Sequence, residues 1–367
     1  MFKYVVVGAG LSGLTIAERI ANCLNESVLI IEKRKHIGGN CHDFYNEDGI
    51  LTHSYGPHIF HTNYKEVWDY LNQFTKWYYY QHRVLTYIDG QLIPMPITTE
   101  TINRLYNLNL SNFEVEEFLS KQSQPIVEIK NSEDVVLSKA GKDIYEKFFK
   151  NYTKKQWDVY PNELDKSVIS RIPVRYNRDT RYFTNKYQGL PKFGYTNMLI
   201  KMINNPKIHI LLNTDYKDII NDLTYEKLVY TGPVDYFSDY KHGKLTYRSI
   251  KFEFETLDCS SYQDAAVVNY PNDYDFTRIT EFNKMTGQES KKTTILREYP
   301  SWDGEPHYPY PTKECEDQYN LYKQECSKQD KVIFVGRLAE YKYYDMDATI
   351  KRALDTFNTE FMGNHNE

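Results

Sequence analysis

The first forty residues constrain this chain more than any other segment. The apolar run Tyr4-Val5-Val6-Val7 leads into Gly8-Ala9-Gly10-Leu11-Ser12-Gly13, and Leu14, Ala17, Ile20, Ala21 and Leu24 then recur at helical spacing. A second apolar run, Val28-Leu29-Ile30-Ile31, ends at Glu32. Strand, G-x-G-x-x-G turn, helix, strand and terminal acid are the parts of a dinucleotide-binding βαβ unit. Gly8 permits the sharp turn, Gly10 lets backbone approach a pyrophosphate, and Gly13 lets the helix pack against the strand. The helix start, at Ser12, offers free N–H groups and a positive dipole end to phosphates. Glu32 stands where a carboxylate accepts hydrogen bonds from an adenosine ribose.

The next segment selects the dinucleotide. Glu32-Lys33-Arg34-Lys35-His36-Ile37-Gly38-Gly39-Asn40 places a basic cluster and two adjacent glycines behind the acid. A nicotinamide domain has no need of this, whereas extended FAD can use a second glycine turn beside its phosphates and ribityl chain. The far end of the chain agrees. Lys331-Val332-Ile333-Phe334-Val335-Gly336-Arg337 reads as a buried strand ending in glycine, and a helix starts near Asp345-Met346-Asp347, with Met346, Ile350, Leu354 and Phe357 on one face. N–H groups at such a helix start stabilise negative charge near flavin N1. FAD is the expected cofactor.

At 367 residues the chain is long enough for two or three domains. A formal net charge of −5 gives no electrostatic case for nucleic acid or an anionic membrane. No stretch approaches about 18 consecutive apolar residues, and strand one begins at once, so neither membrane insertion nor a signal peptide is expected. Five cysteines without C-x-x-C suit a reducing, cytoplasmic setting. His58 and His61 lack further ligands nearby, so no metal is expected. The 34 tyrosines reflect mainly a Lys/Asn/Tyr-rich composition.

The expected fold class is mixed α/β: a Rossmann-like FAD-binding domain with an inserted helical region and an antiparallel β-sheet region over the flavin. The discontinuous FAD domain spans 1–80, 190–240 and 325–367. The helical substrate domain spans 98–170, with a mobile loop at about 158–175, and the sheet region spans 81–97, 171–189 and 241–324. Arg83 to Ile88 reads as a hairpin strand before Asp89-Gly90, and Pro94 and Pro96 break the stretch beyond that turn. Leu245 to about Glu298 alternates as antiparallel strands do.

Three stretches carry chemistry. Phe148-Phe149-Lys150-Asn151-Tyr152-Thr153-Lys154-Lys155-Gln156-Trp157 suits a base to stack and a polar edge to read, or equally a core face with solvated lysines. Arg171, Arg175, Arg178 and Arg181 cluster around Pro173, and arginine gives bidentate recognition of phosphate. Arg278 lies in a strand-like stretch and needs an anionic partner, either a ligand or Glu281 as a structural one.

These blocks, with Tyr55-Gly56-Pro57-His58-Ile59-Phe60-His61-Thr62, Pro173-Val174-Arg175, Thr277-Arg278-Ile279-Thr280-Glu281 and Val335-Gly336-Arg337-Leu338, resemble the bacterial UDP-galactopyranose mutases in order along nearly the whole chain. The resemblance implies a flavoenzyme that interconverts UDP-galactopyranose and UDP-galactofuranose through a covalent flavin N5–sugar adduct, with FAD reduced, for cell-surface polysaccharide. It also implies a homodimer. Arg175 and Arg278 then resemble the catalytic arginines on the diphosphate, and Trp157 a tryptophan on a mobile loop. Phe148, Phe149, Tyr152 and Thr153 resemble the uridine pocket, Tyr182 and Asn269 further substrate contacts, and Tyr308 and Tyr343 tyrosines reaching the diphosphate. Gly8, Gly10, Ser12, Gly13, Glu32, Lys33, Gly38, Gly39, Asn40, His58, Ile59, His61, Gly336, Arg337, Asp345 and Met346 form the implied cofactor set.

Cys41-His42 departs from the family's small-polar residue and tyrosine. The proline-rich Glu305–Pro311 stretch leaves Tyr308 and Tyr310 as alternatives. UDP-N-acetylgalactosamine stays open as a further substrate. An FAD oxidoreductase of the amine-oxidase type is the alternative reaction class, and a non-catalytic nucleotide-sugar binder the third.

Overall fold

The computed structural model describes residues 2–170 and 173–363. These divide into two compact units, 2–79 with 185–246 and 314–363, and 80–184 with 247–313. The first is built on a parallel five-stranded sheet, in the order Ile208–Leu211, Val28–Ile31, Tyr4–Val7, Lys227–Tyr230 and Val332–Phe334. Its central strands are continuous apolar runs because both faces are covered. The helix Leu11–Cys23 is buried along its first ten residues save Arg19, since it lies between the sheet and neighbouring helices, Met346–Phe361 foremost. Gly13 makes that close packing possible: a Cβ there would lie 2.0 Å from the Gly8 carbonyl oxygen.

The second unit joins helices to a seven-stranded sheet, in the order Tyr308–Pro309, Tyr247–Leu257, Thr293–Ser301, Arg278–Glu281, Val267–Asn269, Val84–Ile88 and Gln91–Met95. All neighbours are antiparallel except Val267–Asn269 with Val84–Ile88. A buried cluster of Ile93, Ile102, Val115, Val135, Ile144, Phe148 and Phe149 ties the helices to the sheet.

Several expectations need correction. The helical and sheet regions form one unit because of that shared core. Residues 185–189 join the first unit instead, since Tyr187–Pro191 pairs with Phe60–Thr62 and Trp77–Tyr78. Residues 241–246 and 314–324 follow them, fastened where Tyr322 donates to the Gly243 carbonyl. Pro94 does not break its strand. It lies in Gln91–Met95, the outer strand of the sheet, where a missing N–H is tolerated. A short helix, Phe282–Thr286, interrupts the stretch expected to be all strand.

Candidate functional site

In the first unit the residues expected at a dinucleotide converge. Gly10 caps the helix Leu11–Cys23 without a side chain, and no acidic residue occupies its first turn, so the positive end of the dipole stays available to an anion. A Cβ on Gly10 would lie 3.9 Å from the Gly39 Cα and one on Gly39 only 3.0 Å from the Gly10 Cα, so the two glycine turns lie against each other. The Glu32 carboxylate, 6 % exposed, accepts from the Ala9 N–H at 2.7 Å and the Arg34 N–H at 2.8 Å, tying the first turn to the second strand. Arg34 also donates to Asn40 Oδ1 at 3.1 Å, whereas Lys33 is exposed.

The late strand returns to this place. A Cβ on Gly336 would lie 2.7 Å from Ser12 Oγ, so the two segments touch. Arg337 donates to the Tyr344 carbonyl and stacks on the exposed ring of Tyr343, 5.2 Å from its centroid. Asp345 precedes the helix Met346–Phe361 without a side-chain capping bond, and Met346 reaches the Cys41 thiol, 3.5 Å between sulfurs. His58 and His61 flank Ile59. His58 shares a hydrogen bond with the Gly56 carbonyl at 2.9 Å, and His61 with Asn185 Oδ1 at 3.1 Å. Apposed glycine turns, an uncapped helix start, a buried acid and a second helix start fit a flavin dinucleotide.

Asp43, Thr196 and His53, which the sequence did not single out, brace this unit. The buried Asp43 carboxylate accepts from the Tyr195 and Thr196 N–H groups at 2.6 and 2.8 Å, capping the helix Tyr195–Met202. His42 stacks on His36 at 3.8 Å, and both Nδ1 atoms face the Ile37 carbonyl, at 3.1 and 3.0 Å.

In the second unit Phe148 and Phe149 lie in a π-helical turn, Tyr145–Lys150, whose wide geometry recurs at functional sites. Both rings are buried in the core of this unit. The turn continues into the helix Asn151–Trp157, which carries the half-buried Tyr152, the buried Thr153 and Trp157 at its last residue. Lys155 donates to the Tyr270 and Asp273 carbonyls at 2.8 and 2.7 Å, bringing the loop after Asn269 onto this helix. Asn269 itself pairs with Arg278 across two strands.

Arg278 is fastened by Glu298 and not by Glu281. Its Nε donates to Glu298 Oε1 at 2.8 Å, and Glu298 is its register partner on Thr293–Ser301. Glu281 accepts instead from the Tyr262 and Gln263 N–H groups, both at 3.0 Å, and from Thr293. Side chains alternate along a strand, and Glu281 lies three residues from Arg278, on the opposite face. Glu298 is 1 % exposed while the Arg278 side chain keeps 27 % of its surface open, enough to meet a ligand. Burial opposes the Arg278 charge, but Glu298, Tyr152 and Tyr308 outweigh it and push the guanidinium pKa well up.

The described arginines of the cluster, Arg175, Arg178 and Arg181, have protein partners. Arg175 donates to the carbonyls of Asp179, Arg181 and Tyr182, at 3.2, 2.5 and 3.2 Å, which fixes that turn and the half-buried Tyr182. Arg178 pairs with Glu100 at 3.1 Å and Arg181 with Asp179 at 2.7 Å. Arg171 lies outside the described residues, as does Ile172. The expected loop at 158–175 is also partly packed: it carries the turns Pro161–Glu163 and Ser167–Ser170, and Leu164 and Ile169 are buried. Trp157 is helical and 7 % exposed, and its ring lies 6.2 Å from both Tyr308 and Tyr310.

Among the described residues no group of three or more His, Cys, Asp or Glu is placed to hold a metal, and no helix is long and apolar enough to cross a membrane. The family model for UDP-galactopyranose mutase matches residues 147–343, and that for an NAD(P)-binding Rossmann-like domain matches 6–74. The chain is 38 % identical to a dTDP-fucopyranose mutase of Escherichia coli, over 97 % of each. It is 39 % identical to a probable UDP-galactopyranose mutase of Klebsiella pneumoniae, over 96 % of this chain and 93 % of that one. A crystal structure of reduced UDP-galactopyranose mutase superposes with a TM-score of 0.79 at 16 % identity, covering 98 % of this chain and 93 % of that one. A mutase-model match over more than half of the chain, and relatives of this identity along nearly all of it, mean that the chain is an enzyme of the UDP-galactopyranose mutase family.

Proposed function

We propose that this enzyme interconverts UDP-galactopyranose and UDP-galactofuranose with reduced FAD, in the cytoplasm, as a homodimer supplying furanose for cell-surface polysaccharide. The observation that carries the reading is Arg278: a partly open guanidinium on a strand, locked by a buried carboxylate. Such a cation is preorganised for a diphosphate whose charge grows as it leaves the anomeric carbon. Reduced flavin, when bound, supplies N5 as the nucleophile toward that carbon. The start of the helix Leu11–Cys23 takes the pyrophosphate of the cofactor beside the apposed turns of Gly10 and Gly39, with Ser12, Glu32, Lys33, Asn40, His58, His61, Arg337 and Met346 around it. Tyr152, Thr153, Trp157, Tyr182 and Asn269 orient the nucleotide and Tyr308 reaches the diphosphate beside Arg278, while the resemblance gives Tyr343 as a further diphosphate contact. Arg175 acts through the 179–182 turn it holds.

A second reading is favoured by the Escherichia coli relative: dTDP-fucopyranose as substrate, with the same ring chemistry. One assay decides. Dithionite-reduced protein is incubated with UDP-galactofuranose and, separately, with dTDP-fucopyranose, with oxidised protein as control. UDP-galactopyranose formation only when reduced is expected. Turnover of the thymidine sugar alone moves the assignment to that substrate, and equal activity when oxidised overturns the flavin chemistry.

A further inference from the structure

Arg248 is a buried arginine that donates to main-chain carbonyls. It lies on the strand Tyr247–Leu257 opposite Tyr308 and is 2 % exposed. Its Nε donates to the Gln156 carbonyl at 2.9 Å, and Nη2 to the Lys155 carbonyl at 3.2 Å. These carbonyls belong to the last turn of Asn151–Trp157, where a helix lacks intrahelical donors and presents its negative end. The guanidinium also stacks on Trp302, 4.3 Å from the ring centroid. The Trp302 indole donates to Asp158 at 2.9 Å, and Asp158, at φ +62°, ends the helix while pairing with Lys154. Trp157 is thereby held between two fastened neighbours, facing Tyr308 and Tyr310.

We propose that Arg248 is a positioning residue, which locks Trp157 and Tyr308 into one preformed wall for the nucleotide sugar. The proposal rests on the reading of those two residues as substrate-facing. One strand pair carries both Arg248 and Tyr308, and one guanidinium fixes the helix end bearing Trp157, so the two rings keep their spacing without a ligand. A preformed surface removes ordering cost from binding. Loss of the lock therefore raises KM more than it lowers kcat. A cap serving stability alone moves neither.

The test uses the full-length holoenzyme labelled with 5-fluorotryptophan, with its four tryptophan resonances assigned by Trp→Phe variants. In unliganded Arg248→Met the Trp157 resonance shifts or broadens, those of Trp68 and Trp77 stay in place, and KM for UDP-galactopyranose rises at least tenfold with kcat within threefold. Arg248→Lys recovers part of both effects, because an ammonium reaches the carbonyls without stacking on Trp302. A wild-type Trp157 resonance with wild-type KM overturns the proposal, as does a collapse of kcat at unchanged KM. If Arg248→Met does not fold, Arg248→Lys carries the same test, and wild-type values in it overturn the lock. The substrate-facing reading fails separately, if saturating UDP leaves the Trp157 resonance of the wild-type enzyme unmoved.

Discussion

Alanine at Gly10 and at Gly13, three residues apart, should separate cofactor binding from folding. A Cβ on Gly13 would lie 2.0 Å from the Gly8 carbonyl oxygen and 3.0 Å from Val6 Cγ1. The obstacle is backbone, so the helix must move by more than an ångström from the sheet. Overpacking typically costs about 1–3 kcal/mol, and a backbone clash belongs at or above the upper end. Gly10 has φ −84° and ψ −175°, extended values any residue adopts, and its Cβ would meet nothing closer than 3.9 Å. Alanine there costs the apoprotein no more than about 1 kcal/mol as a helix cap. The same methyl stands where backbone must approach a pyrophosphate, so FAD affinity should fall by about tenfold to a hundredfold, or about 1.4–2.8 kcal/mol. Urea unfolding of the apoproteins and FAD titration followed by flavin fluorescence measure the two effects. Wild-type FAD affinity in Gly10→Ala would refute the close approach of pyrophosphate to Gly10, and a wild-type urea midpoint in Gly13→Ala would refute the packing argument.

Glu298→Gln removes the anion that holds Arg278. Breaking a buried pair costs about 3–5 kcal/mol, and with Arg278 partly open to solvent we expect about 2 kcal/mol in urea unfolding, with a larger fractional loss in kcat than in UDP affinity. Burial holds the His53 imidazole down at about 3, with His58 adding to the shift. The unfolded chain takes up this proton near pH 6.5, so the stability is complete above 6.5 and lost as pH falls, by about 2–3 kcal/mol at pH 4.5. Urea midpoints at pH 7.5 and 4.5 should differ less in His53→Gln than in wild type; an equal difference assigns the acid sensitivity elsewhere. Added UDP should protect the exposed Lys166 from trypsin and change Trp157 fluorescence in the reduced enzyme, and an unchanged cleavage rate makes that segment a static connector.

What the sequence determined by itself is local. The βαβ unit, its glycines and Glu32 were legible because strand, turn and helix are contiguous, and Gly13 answers a steric demand from Gly8, although the atoms nearest a Cβ at Gly8 and Gly10 come from Thr231 and Gly39. The late strand and the helix after Asp345 were legible from apolar period and capping, and Arg278 from a cation in a β-type stretch. Which carboxylate holds that cation was decided by the register of Arg278–Glu281 against Thr293–Ser301, and no local pattern carries a register between strands so far apart. The Arg171–Arg181 cluster read as a phosphate site because charge is visible in sequence, whereas the carbonyls that occupy Arg175 become partners only once the 179–182 turn has formed. Arg248 left no trace in the sequence for the same reason. Its partners are helix-end carbonyls about ninety residues away, which every residue type presents alike, and only the packing of that helix on its sheet brings them within reach of a guanidinium.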